Sequence, residues 1–367
     1  MSAPRAGSHP LAPPALGWWH AWTRFWFTPS DPFGLHVLRV ATAALVLAWL
    51  LPFAGHVDAT FGLDGWVDAR AYQELRPTPT DMGLVDPRGW SLLFVVGTSS
   101  AALHACYWAT IGLTVLFLFG LCVRPLAVVL WLATSSFSAN PIIEADTDVY
   151  LRIFTFYLMI GYLLLDQGRA RAGWLHRLIA PWEYSLLRRP TGEPVPGSAG
   201  ATMAVRLWQL HIALLIVVSG LHKLQMPEWW TGIALWYLFH RPDVATPESL
   251  LAWGGNRFTV NLSLLSLGAY VMLAWQILFP AFAWRRGWGR WLLLGGAASG
   301  ALGLMLLFPT PLLGPTFFVA MLGFLAHEDA AEMRERLGRL FARRSATVTK
   351  GGSAGGSLAS PAVAGKR

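Results

Sequence analysis

Lysine is almost absent from this chain of 367 residues. Of its 28 basic residues, only Lys223, Lys350 and Lys366 are lysine, and the other 25 are arginine. Cysteine is equally sparse. Cys106 and Cys122, read as lying on one helix about 24 Å apart, are too distant for a disulfide, so the pair says nothing about redox compartment. Charged residues make up 13% of the chain against 54% hydrophobic, about half the charge of a soluble domain, which excludes a soluble fold. No HExxH, CxxC or paired-histidine spacing offers a metal site, and neither a Walker A loop nor a GxGxxG turn offers a phosphate cradle. Residues 1–17 are rich in Pro and Ala without an apolar run, so no cleaved signal peptide is expected. No internal repeat is visible, which disfavours a transporter built from two matching halves.

What remains is apolar sequence in long runs. Eight segments, near 35–54, 103–122, 125–141, 149–166, 206–224, 260–283, 291–308 and 312–327, approach the length needed to cross about 30 Å of hydrocarbon. Backbone groups in lipid must find partners within their own segment, so the expectation is an all-α, polytopic membrane helix bundle. Ahead of it, Trp18, Trp22, Phe25 and Trp26 share one helical face, the pattern of a helix lying in the membrane interface. Asp31 and Pro32 read as N-cap and first residue of the next helix. The chain thus divides into a tail and interfacial helix (1–29), a transmembrane domain (30–328), a basic helix (329–344) and a Gly/Ser/Ala-rich disordered tail (345–367).

Charge distribution orients the bundle. Arg5, Arg24, Arg124, the cluster from Arg169 to Arg189, Arg285, Arg286, Arg290 and the basic tail all fall on one side, the side of both termini. Acidic residues gather on the other, from Asp58 to Asp86 and again at Glu144, Asp146 and Asp148. The positive-inside rule then puts both termini in the cytoplasm, with a bacterial-type inner membrane as location. The net charge of +8 is topological under this reading, and no nucleic-acid partner is implied. The expected partners are the bilayer and a peptide or lipid-soluble small molecule.

Lys223 ends the fifth apolar segment, in Leu221-His222-Lys223-Leu224, among arginines that never release a proton. A desolvated lysine can act as a base, and ionisable groups at membrane depth are functional candidates by default. The competing reading is a lysine that snorkels to the interface. His222 adjoins it, and His56, His104, His240, Asp146 and Asp148 are expected at the same side. Candidate catalytic residues are therefore Lys223, with His222 and Asp146 assisting. Asp148 precedes Arg152 by four residues, the spacing of an ion pair along one helix. His211, about 18 Å deeper than Lys223, is expected to bridge helices instead. Gly295-Gly296 reads as a point of close helix packing.

Trp208-Gln209-Leu210-His211, Ser219-Gly220-Leu221-His222-Lys223-Leu224 and Glu228-Trp229-Trp230-Thr231-Gly232 together resemble the HTTM family, the transmembrane domain shared with vitamin K-dependent gamma-carboxylases. Asn140-Pro141-Ile142-Ile143 with Asp146 and Asp148, Arg39, and the Gly62-Leu63-Asp64-Gly65 turn add to the likeness, which spans about residues 30–328. The resemblance implies that Lys223 matches the base that drives oxygenation of reduced vitamin K, so a reduced quinone is implied as cofactor by family likeness only. Three departures accompany it. No large soluble domain follows the bundle, Gln276 stands where relatives place an acid, and the segment from Gly295 to Gly303 lacks a histidine. Other relatives mature a sporulation-delaying toxin, which keeps peptide-related roles and a non-catalytic scaffold open beside the enzyme.

Overall fold

The computed structural model describes residues 17–62, 65, 91–93, 99–139, 146–165, 197–239, 258–285, 287–308 and 310–328. Within them the chain forms twelve α-helices and no strand. They are α1 (Trp18–Phe27), α2 (Phe33–Leu50), α3 (Val57–Phe61), α4 (Ser100–Phe119), α5 (Val123–Phe137) and α6 (Asp146–Leu163). Then follow α7 (Ala199–Lys223), α8 (Pro227–Trp230), α9 (Ala234–Phe239), α10 (Phe258–Phe282), α11 (Trp288–Leu307) and α12 (Leu313–Glu328). Each of the eight expected apolar segments has its helix. Five of them, in α2, α4, α7, α10 and α11, are long and apolar enough to cross a membrane; α5 and α12 are shorter, and α6 carries Asp146, Asp148 and Arg152. This is a membrane protein.

Local chemistry sets the helix ends. The Asp31 carboxylate accepts the Phe33 N–H (2.9 Å), the capping role expected, with the helix boundary one residue later. Ser99 caps α4 through the Ala102 N–H, and Ser198 caps α7 through the Ala201 N–H. Gly120 closes α4 in the left-handed region (φ 84°), and the Leu121 N–H returns to the Leu116 carbonyl. Cys122 lies in the turn beyond that cap, not on α4 with Cys106, which corrects the one-helix placement; both thiols are free.

Helices α2, α6, α7 and α12 pack together as the centre, joined by α4 and α5 on one flank, while α10 and α11 are peripheral. In α2, 61% of the apolar window is buried inside the bundle, against 17% in α10 and α11, so most of their surface is left for lipid. Helices α6 and α7 run antiparallel, with Gly161 against Ala204 and Leu164 against Gly200; between them Phe154 stacks on Trp208 (4.3 Å), and Tyr157 OH meets His211 Nδ1 (2.8 Å), the bridge expected of His211. Trp208 also donates to the Ala320 carbonyl of α12 (3.1 Å). A Cβ on Gly323 would come within 2.6 Å of the Trp208 indole. Gly323→Ala is therefore expected to lower stability by about 1–3 kcal/mol through overpacking, read as a lower thermal midpoint in detergent.

Close packing at the Gly295-Gly296 pair belongs to Gly296, whose Cβ would fall 2.2 Å from the Trp275 ring; Gly295 faces open space. In α1, Trp22 packs on both Trp18 and Trp26, on the face expected. Phe25 lies under the Arg206 guanidinium (4.6 Å), which fastens α1 to the start of α7. Several expectations fall outside the described residues. These are the Asn140–Ile143 motif, Glu144, Asp64, the acidic loop from Asp68 to Asp86, the arginines from 169 to 189, Arg286, His240, the basic helix at 329–344 and the tail at 345–367.

Candidate functional site

Lys223 is the last residue of α7, and helix phase decides where it points. At 100° per residue, Val205, Ile212, Ile216 and Lys223 share one face. The three apolar members are buried, while Leu210, Leu214, Val218 and Leu221 form the exposed stripe opposite. Lys223 is half-buried and its stem continues the core face of α7. Its Nζ donates to Ser219 Oγ one turn back (2.7 Å) and lies 5.4 Å from the centre of the buried Trp229 ring. No carboxylate lies within ion-pair distance of it among the described residues. Among the described residues the ammonium group is held by a hydroxyl and a π face.

Trp229 reaches the lysine because the chain reverses at once after α7. Pro227 starts α8 at a position that needs no N–H, and the Trp230 indole donates back to the Leu224 carbonyl. Gly232 (φ 75°) then turns the chain against α10, where a Cβ would meet Ser266 and Tyr270 OH at 2.9–3.1 Å. Tyr270 OH closes the arrangement by donating to the Trp230 carbonyl (2.8 Å). The aromatic segment after Lys223 is thus two short helices, strapped between the end of α7 and the flank of α10.

The depth of the lysine follows from the neighbour of α7. A Cβ on Gly220 would lie 3.0 Å from Gln276 Cβ, so the two residues are level. From there α10 continues toward its own N-terminus for about 27 Å, while Lys223 lies only about 4.5 Å beyond Gly220. Lys223 therefore sits well below the end of α10, with α8 and α9 packed beside the overhang.

The other two candidates reach the same end of the bundle without joining the lysine. His222 is exposed, about 100° around the helix from Lys223. Asp146 opens α6, antiparallel to α7, and is also exposed. No hydrogen bond or ion pair links Lys223, His222 and Asp146 among the described residues. The expected Asp148–Arg152 ion pair is absent among those residues too: Asp148 is buried on α6, and Arg152 stays partly exposed. A helix-spacing rule cannot foresee that one member of a pair turns into the core.

No family model, curated protein or solved structure matches this chain. The site has to be read from its own geometry. Among the described residues no group of three potential ligands could hold a metal ion. A second polar contact does form at the Lys223 end. His104 Nε2 meets Asp58 Oδ2 (2.9 Å), and Ser100 also hydrogen-bonds the Asp58 carboxylate, pinning α3 to α4. His56, at the start of α3, is exposed.

The Ser100 and His104 hydrogen bonds hold the Asp58 carboxyl below its ordinary value of 3.8. A depressed folded value means that the contribution to stability is complete above that ordinary value. It is lost as pH falls through the folded one. Asp58→Asn is expected to lower the thermal midpoint slightly at pH 7 and to flatten its fall between about pH 4 and pH 2. Parallel melting curves for the two proteins across that window would remove the pair from the account.

Three features of this region were not legible in the sequence. Ser219 precedes Lys223 by four residues, a signal that was present but common. Trp229 meets the lysine only because Pro227 and Gly232 fold the strap back. Asp58 and His104 are 46 residues apart and carry no motif.

Proposed function

We propose that this protein is an inner-membrane enzyme of the HTTM type that acts on a lipid-soluble substrate, with Lys223 as its base. In this reading the eight apolar helices all span and both termini face the cytoplasm. The Lys223 end then opens within the outer leaflet. One observation carries the proposal: a half-buried lysine below the end of α10 that, among the described residues, hydrogen-bonds only to Ser219, covers Trp229 and has no counter-ion. A structural lysine in lipid normally reaches water or pairs with an acid. A base needs the opposite, an amine whose charge nothing nearby compensates. The substrate class extends to quinone-like molecules and to lipid-linked or peptide substrates; a reduced quinone rests on family likeness alone.

The exposed Asp146 and His222, which do not engage the lysine, support a second reading as a scaffold or peptide-maturation factor that presents this rim to a partner. Mass spectrometry of lipids and peptides copurified with the wild-type chain and with Lys223→Arg separates the two. A bound molecule that differs in mass between the two samples supports turnover. Identical unmodified molecules in both overturn it in favour of the scaffold.

A further inference from the structure

Gln276 lies beside the lysine site, level with Gly220. Its Oε1 atom is buried and accepts no hydrogen bond among the described residues. Pro280 stands four positions on inside α10, and it has no N–H to give to the Gln276 carbonyl. A buried acceptor left unmade costs about 1–3 kcal/mol, so the Gln276 side chain calls for a donor. Gly220 lets α7 approach this point, since a side chain there would collide with Gln276 Cβ at 3.0 Å and Ile277 Cγ1 at 3.3 Å. Side chains on a helix lean toward its N-terminus, which on α10 is the direction of Lys223, about one turn away.

We infer that Gln276 is the second polar contact of the Lys223 site, accepting a hydrogen bond from a hydroxyl or N–H on the head of a lipid-soluble ligand seated between α7 and α10. The inference rests on the reading of Lys223 as a functional site. It adds what the lysine cannot specify: the ligand carries a donor, and α10 reads it. An ether or ester of the same chain length has no proton for Gln276 and binds less well.

The test uses the full chain in lipid nanodiscs with two photoactivatable probes, a diazirine-bearing long-chain alcohol and its methyl ether. The wild-type protein is expected to crosslink the alcohol near residues 216–223 and 273–280 about tenfold more than the ether, a difference of about 1.4 kcal/mol. Gln276→Leu abolishes that preference, and Gln276→Glu, which keeps an acceptor, retains it. Loss in both variants marks Gln276 as a packing residue and overturns the proposal, as does a wild-type protein that does not distinguish the probes or a Leu variant that still does. Lys223→Arg keeps the outcomes apart. Alcohol preference without turnover-dependent products in the wild type defeats the base and leaves Gln276 standing. Turnover that needs Lys223, with no alcohol preference, does the reverse.

Discussion

Lys223→Arg is expected to abolish activity while the protein still inserts and folds. Arginine keeps the positive charge, the length of the stem and the ability to lie over Trp229 and donate to Ser219. It cannot release its proton. The change in folding stability should stay within about 1 kcal/mol, because Lys223 is half-buried at a helix end and its polar contacts among the described residues are Ser219 and the Trp229 ring. The measurements are the thermal midpoint in detergent, the yield in membranes and the mass-spectrometric product set. Lys223→Met separates charge from chemistry, since it fills similar space with neither. Equal losses in Arg and Met variants, with unchanged melting, support a base. A wild-type product set from the Arg variant, beside loss in the Met variant, assigns the lysine to holding an anion and defeats proton abstraction.

The helices were legible because each expresses one strong physical requirement, an apolar run long enough for hydrocarbon with no room for strands. The caps followed for the same reason. Asp31 and Pro32 are a local pair, and their effect does not depend on what packs against them. Lys223 stood out by rarity, and its place at the end of α7 came from the length of the apolar run.

Its surroundings could not be read that way. The strap that brings Trp229 to the lysine depends on a positive φ at Gly232 and a contact with Tyr270, 38 residues later in the chain. The relation of Gly220 to Gln276 is a matter of register between two helices, and composition carries no register. Asp146 and His222 show the limit from the other side. Topology places them at one end of the bundle, but only side-chain direction decides whether they reach the lysine, and both face outward.

The largest loss of stability is expected from Arg39, and it explains why the chain prefers arginine. Arg39 is fully buried in α2, donates from Nη1 to the Phe117 carbonyl (3.0 Å) at the end of α4, and lies beside the Tyr162 hydroxyl of α6. Tyr162 OH in turn meets His36 Nδ1 (2.7 Å), so one cluster ties three helices together at the end opposite Lys223. The pattern repeats at that end: Arg124 donates to the Leu165 carbonyl just past α6, and Arg290 to the Phe324 carbonyl near the end of α12. Each cation meets the negative pole of another helix, where a rigid fork that never loses its charge serves better than an ammonium.

Arg39→Ala removes the donor, leaves the Phe117 carbonyl with the Gly120 N–H alone among the described residues and opens a cavity where the guanidinium lay against Gly120. A loss of about 3 kcal/mol or more is expected, seen as a large fall in the detergent melting midpoint. Arg39→Lys should recover less than half of it, since an ammonium does not reproduce the reach and planar geometry of the fork at the Phe117 carbonyl. A lysine variant that melts with the wild type would show that charge alone suffices there. The arginine-for-lysine bias would then be no part of how these helices are held.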